Sequence, residues 1–193
     1  ERLISFKCND VAPYVTWKGN EDANDVNDSF GNCVAVNVSP LFDGHSLLLP
    51  NPAVGHQQRL HLQAMLTALK FMSCCTRQGT RLMFNSLGAF ASVNHLHFHI
   101  CPLDHHASRE QTPMEGAKSQ VLGWAAHAAC VEVSKLCDWG CECLVFKVPT
   151  TADIPSLAKM VTETTELLYH HHTPFNIVVV AATHVILIPR QNE

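Results

Sequence analysis

Asn85-Ser86-Leu87-Gly88-Ala89-Phe90-Ala91-Ser92-Val93-Asn94-His95-Leu96-His97-Phe98-His99-Ile100 is the stretch on which the reading of this chain turns. Three histidines recur at spacing two with apolar residues between them. Side chains at i, i+2 and i+4 of a β-strand share a face. His95, His97 and His99 are therefore expected on one face of a strand, with Val93 in phase. Leu96, Phe98 and Ile100 would cover the other. Polar–apolar alternation is ordinary for a half-buried strand. Here every polar slot holds the same titratable, nucleophilic side chain.

The rest of the chain bounds what such a face can serve. With 193 residues, 47% of them hydrophobic, a packed unit is expected: one domain, or two small halves sharing a core. A net charge of -4 argues against a nucleic-acid binder or a membrane-surface protein, either of which would show a basic face. A small anionic ligand held by local donors stays compatible with it. No apolar run reaches the roughly 18 residues of a membrane span. The start, Glu1-Arg2-Leu3-Ile4-Ser5-Phe6-Lys7, does not read as a signal peptide and lacks Met, as in a fragment or processed chain. Nine cysteines without framework spacing suit thiols in a reducing, cytoplasmic setting. Cys141 and Cys143 are too closely spaced for the usual zinc pair.

Outward from the histidines, residues 1–32 form a weakly patterned N-terminal segment, with an early strand over Val11–Trp17 and a loop whose acidic residues, Glu21, Asp22, Asp25 and Asp28, read as solvated. Cys33–Val38 and His45–Leu49 read as strands joined by a turn containing Pro40 and Gly44. From about His56 to Thr76 the apolar period becomes helical. Thr80–Phe84 is the next strand, and Pro102 ends the histidine strand. Residues 104–120 read as a loop or linker, with His105 and His106 in solvent. Val121–Leu136 supports no firm assignment. A strand over Cys143–Val148, a helix from Pro155 to about His170 and strands over Phe175–Ala181 and Val185–Ile188 complete the chain. His170, His171 and His172 suit the C-terminal end of that helix dipole. The fold expected is α+β: an antiparallel sheet with helices packed on it, built from two related halves. The first, 33–103, carries the histidines; the second, 121–193, lacks them.

Three readings of the histidine face compete: structural groups, metal ligands, or nucleophilic catalysis. Adjacent strand histidines are roughly 6.7 Å apart at the backbone and the outer two roughly 13 Å. Zinc holds each nitrogen at about 2.0–2.1 Å, so two could converge on one ion but three on a straight strand could not. As a nucleophile, a neutral imidazole can attack phosphorus and form a phosphoramidate, splitting one displacement into two. The turn Asn85–Ser92 can offer backbone N–H groups and a hydroxyl to the same phosphate.

His95-Leu96-His97-Phe98-His99 resembles the motif of the histidine-triad superfamily. The segment Asn85–His97, with Val34-Ala35-Val36-Asn37-Val38-Ser39-Pro40-Leu41, Gly44-His45 and Leu47-Leu48-Leu49-Pro50, is similar to its GDP-hexose phosphorylase branch, which includes plant GDP-L-galactose and animal GDP-D-glucose phosphorylases. Gln58-Arg59 and Ile186-Leu187-Ile188-Pro189-Arg190 are weaker echoes. The resemblance implies a histidine-triad-like fold and a nucleotidyltransferase. It implies phosphorolysis of a GDP-hexose, most readily GDP-D-glucose, to hexose 1-phosphate and GDP through a guanylyl group on His97. His95 and His99 would orient His97 and contact phosphate. Asn37, Asn85, Ser86 and Ser92 would bind substrate. No metal and no cofactor is implied; the partners are the GDP-hexose and inorganic phosphate, with no nucleic acid or membrane, and a homo-oligomer is left open. The third position is Gln in the plant branch, so His99 matches the animal branch and the hydrolytic histidine-triad proteins. A hydrolase, or a nucleotide-binding module that has lost turnover, is therefore the alternative. Family members run beyond Glu193, so the second half is expected to be truncated.

Overall fold

The computed structural model describes residues 14–17, 31–77, 79–103, 112–125 and 128–190. The acidic cluster Glu21–Asp28 and the pair His105 and His106 lie outside them. In chain order the elements are β1 (Tyr14–Trp17), β2 (Asn32–Val36), β3 (Ser46–Leu49), α1 (Leu62–Cys74), β4 (Thr80–Asn85), β5 (Phe98–Pro102), β6 (Ser119–Ala125), β7 (Ala128–Leu136), β8 (Leu144–Lys147), α2 (Ile154–His170), β9 (Phe175–Ala181) and β10 (His184–Pro189).

The strands form one antiparallel sheet in the order β1-β2-β3-β5-β4-β9-β10-β8-β7-β6. The first five strands lie as 1-2-3-5-4 and the last five as 6-7-8-10-9. Each half is therefore a three-stranded meander, a helix and a two-stranded return with its last two strands exchanged in space. The halves meet where β4 pairs β9, with Leu82 opposite Val179 and Asn85 opposite Asn176. Two related α+β halves sharing one sheet are thus present.

The alternation of side chains gives the sheet two unlike faces. On one, Leu48, Leu82, Phe84, Phe98, Ile177, Val179, Val185 and Leu187 pack against Met65, Leu69, Leu157 and Val161 of the helices. Aromatic contacts Phe84–Phe98 and Phe84–Phe175 fill the centre of this layer. On the other, Leu136, Cys143, Val145, Ile186 and Ile188 form a smaller cluster capped by Met114, Ala117 and Trp139. The 112–118 segment is pinned there by Arg81, whose guanidinium donates to both carboxylate oxygens of Glu115 at 2.6 and 2.7 Å. Over the first half this second face carries the histidines.

Three sequence expectations need revision. Residues 56–61 precede α1 rather than starting it; the helix begins at Leu62, with His61 Nδ1 accepting from the Ala64 N–H. The unassigned stretch 121–136 lies in the hairpin β6–β7, whose register shifts near Gly123 and Trp124 hid the period of two. The histidine strand is shorter than its pattern. β5 begins at Phe98, so His99 is within it while His95 and His97 stand just before it.

Candidate active site

The histidines are placed by β5 and its two neighbours. Leu47 of β3 lies opposite His99, and so does Met83 of β4. Beyond Met83 the direct pairing of β4 with β5 ceases. Extending the register by two residues sets His97 across from Asn85, and Gln58 stands between them. Its Nε2 donates to the carbonyl oxygens of Asn85 at 2.9 Å and His97 at 3.2 Å. Its Oε1 accepts from the His97 N–H at 2.9 Å. The strands part at this point because a side-chain amide has replaced the backbone ladder.

His97 is buried, and its Nδ1 lies 2.7 Å from the His95 carbonyl oxygen. A carbonyl can only accept, so Nδ1 carries the proton. In the neutral ring Nε2 is then left with an available lone pair. The His97 and His99 rings meet edge to face with centroids 5.0 Å apart. Behind His99 stands His45, with His45 Nε2 2.9 Å from His99 Nδ1. The Leu41 N–H donates to His45 Nδ1 at 3.1 Å, which places the proton of neutral His45 on Nε2. His45 therefore donates to His99 Nδ1, and the proton of neutral His99 sits on its own Nε2. Burial, then the neighbouring His97 and His45, push His99 down to about 4, so it is neutral at pH 7. Burial likewise lowers His45. The arrangement is an acceptor nitrogen on His97 beside an imidazole N–H donor on His99, with both tautomers held by hydrogen bonds to the other ring nitrogen.

The remaining sequence candidates divide. Asn37 lies against the cluster: its Nδ2 is 3.2 Å from His45 Nε2, two N–H groups side by side in this tautomer rather than a hydrogen bond, and its Oδ1 accepts from the Ser39 N–H. Asn85 lies in the His97 row; its Oδ1 accepts from Asn176 Nδ2 at 2.8 Å. Asn176 also donates to the Ala89 carbonyl and accepts from Arg190 Nε. Ser92 is exposed on the loop before the histidines. Ser86 is turned inward; its Oγ accepts from the Phe175 N–H at 2.8 Å and donates to the Leu87 carbonyl. It closes the junction of the halves. His95 acts through its carbonyl on His97. His45 and Gln58 received no role from the sequence. Gly44-His45, directly before an apolar strand, was the available signal for the first, and Gln58-Arg59, a weaker echo of the same family, was the signal for the second.

Beside His45 opens a recess of about 320 Å³ lined by Val36, Leu41, Phe42, Asp43, His45 and Ser46 among others. Phe42 stacks on the His45 ring. Among the described residues no group of three or more His, Cys, Asp or Glu side chains is arranged to hold a metal ion.

Residues 6–101 match the family described as GDPGP1-like, N-terminal domain, and residues 113–193 match GDPGP1-like, C-terminal domain. The chain belongs to the GDPGP1-like family. It is 33% identical over 164 residues to GDP-L-galactose phosphorylase 2 of Arabidopsis thaliana, covering 84% of this chain and 36% of that protein. It is 46% identical over 89 residues to GDP-D-glucose phosphorylase 1 of Bos taurus, covering 46% of this chain and 22% of that protein. The chain thus spans little more than a third of the plant relative and less of the bovine one. In fold it resembles yeast Ap4A phosphorylase Apa2, with a TM-score of 0.57 at 17% identity over 93% of this chain and 60% of that one. A DUF4931 family protein from Bacillus cereus gives a TM-score of 0.58 at 13% identity, over 84% and 83% of the two chains. The fold of this GDPGP1-like chain is shared with these structures. Among its described residues no helix is long and apolar enough to cross a membrane.

Proposed function

We propose that this chain is a guanylyltransferase that phosphorolyses a GDP-hexose, GDP-D-glucose foremost, through a covalent intermediate on His97. The observation that carries this reading is the His97 tautomer: Nδ1–H is committed to the His95 carbonyl, leaving Nε2 as a nucleophile. Nε2 attacks the α-phosphorus, and the bond from that phosphorus to the bridging oxygen breaks. Hexose 1-phosphate departs with the bridging oxygen, and GMP is held as a phosphoramidate. An oxygen of inorganic phosphate then attacks the same phosphorus, the P–N bond breaks, and GDP leaves with His97 restored.

His99 Nε2–H is the donor for a non-bridging oxygen, where charge builds as phosphorus is attacked. A neutral, half-buried donor already oriented by His45 needs no reorganisation to serve there. The recess beside His45 and Phe42 is suited to the nucleoside. The names of the relatives supply the GDP-hexose and phosphate; the site supplies the nucleophile and donor.

Incubating the protein with GDP-glucose labelled in the α-phosphate tests the reading. Without phosphate, an acid-labile GMP adduct should form and be absent in His97→Ala. With phosphate, GDP should be released. Consumption at the same rate without phosphate, yielding GMP, would instead make the protein a hydrolase. Tight GDP binding with no adduct would leave a binding module.

A further inference from the structure

We infer that Gln58 is a positioning residue for the nucleophile: its side-chain amide takes the place of a backbone peptide between β4 and β5 and sets where His97 stands. The inference rests on the guanylyl-transfer reading for its kinetic consequence, and on the geometry alone for its structural one.

An antiparallel pair exchanges N–H and C=O at every second pair of residues directly opposite each other. At the next paired position beyond Met83 and His99, that exchange would join Asn85 to His97 directly. Gln58 stands in this position instead, 1% exposed. One amide satisfies the His97 N–H, the His97 carbonyl and the Asn85 carbonyl. A primary amide has two N–H donors and a carbonyl acceptor in one plane, and here each meets a complementary group. Serine has too short a reach, and the ionised carboxylate of glutamate would face two carbonyls with no proton to give.

Gln58 is itself held at its backbone. Its N–H donates to Asn94 Oδ1 at 3.0 Å, and the His56 carbonyl accepts from the Leu96 N–H at 2.9 Å. Residues 56–58 therefore run beside 94–97, delivering the amide into the gap. This explains why residues 56–61 run as irregular chain, bent at Gln58, rather than as the first turns of α1. The wedge has one purpose that a plain ladder would not serve. It widens the sheet at His97 while keeping both backbone polar groups of the nucleophile satisfied. The ring then folds back so that Nδ1 reaches the carbonyl of His95, two residues earlier.

The experiment compares wild type with Gln58→Leu and Gln58→Glu by single-turnover formation of the His97 adduct, GDP-glucose binding, thermal melting and NMR of the histidine ring nitrogens. Misplacing a reacting group by about 1 Å can cost on the order of 100-fold in rate. The expected result is adduct formation slowed on the order of 100-fold in both variants. Binding should change less than about threefold. At pH 7 the His97 ring should lose its single Nδ1–H form. Gln58→Glu should recover part of the rate as pH falls and its carboxyl takes up a proton, which a mere loss of folded protein would not produce. Adduct formation within about threefold of wild type in a folded variant, or a loss matched by the unfolded fraction, would overturn the inference. If wild type forms no adduct, the guanylyl-transfer reading fails, and the ring-nitrogen spectra still decide on Gln58: an unchanged His97 tautomer in a folded variant overturns it.

Discussion

His45 Nε2 lies 2.9 Å from His99 Nδ1, and the backbone N–H of Leu41 fixes which of the two donates. The β2–β3 turn thereby dictates the tautomer of a histidine on β5, through a neighbour 54 residues away in sequence. His99 carries its proton on Nε2, the ring nitrogen away from His45, because the chain reverses direction at Leu41–Gly44.

Replacing His45 with Phe should retain the stacking volume against Phe42 and remove the proton given to His99. A buried polar atom left unpaired costs about 1–3 kcal/mol, so a modest fall in stability is expected. The larger effect should be on chemistry, because His99 can then adopt either tautomer. The adduct assay should show a slower first turnover with nucleotide binding largely retained. An unchanged first-turnover rate would remove His45 from the proposed mechanism.

Acid should loosen the fold most strongly through two histidines. His99 is pushed to about 4 by burial first, then by His97 and His45. His184 is pushed to about 4 by burial first and by Lys147 and Arg81, with Glu115 opposing. An unfolded histidine titrates near 6.5. Between about 6.5 and 4 the unfolded chain therefore binds protons that the folded chain refuses, and stability falls as pH falls. Above about 6.5 neither group contributes. Urea midpoints at pH 7, 5.5 and 4.5 should decline, and His184→Gln should flatten the decline. A variant tracking wild type at all three values would exclude His184 as a source.

Breaking the Arg81–Glu115 pair should release the 112–118 segment from the sheet. Both side chains are at least nine-tenths buried. Burial alone would raise the Glu115 carboxyl, but the Arg81 hydrogen bond and charge, aided by Thr112, outweigh it and hold the group below its usual range. Removing one partner of such a pair costs about 3–5 kcal/mol, because the other charge stays buried without compensation. Arg81→Met should thus destabilise by about 3–5 kcal/mol. The double change Arg81→Met with Glu115→Leu should recover a substantial part of that loss, as chemical denaturation can measure. Additive losses would mean the two residues act independently.

Several of these relationships were out of reach of the sequence for a common reason. The alternation in Phe98-His99-Ile100 shows which side chains share a face, and the sheet keeps those faces. The same alternation overextends the strand, because the interruption comes from Gln58, far away in the chain, where only a faint family echo marks it and nothing ties it to the histidines. His45 likewise needs the β3–β5 register before it meets His99. Helix α2 was legible because its apolar spacing is local and Pro155 marks its start. The β6–β7 hairpin was not, since Gly123 adopts a φ of +155 where the register shifts. Ser86, which the resemblance places on the substrate, has a partner on β9 that no local pattern announces.

Ser86 and Ser92 should therefore separate cleanly by substitution. Ser86 Oγ is the acceptor for the buried Phe175 N–H where β9 begins, and the Ser86 N–H donates to the Phe175 carbonyl. Ser86→Ala strips that N–H of its partner at the seam between the halves, at a cost of about 1–3 kcal/mol. The hydroxyl faces the interior, so the GDP-hexose KM should be unchanged wherever the protein is folded. Ser92→Ala should do the reverse. Its side chain is exposed, so the melting temperature should stay near wild type. If it donates to the transferred phosphate, guanylylation of His97 should slow by about tenfold or more, the scale of one lost charge-assisted hydrogen bond. Melting curves, single-turnover rates and the GDP-hexose KM of the two variants separate these roles. A rise in KM for folded Ser86→Ala would return that serine to the substrate, and an unaltered rate for Ser92→Ala would remove Ser92 from it.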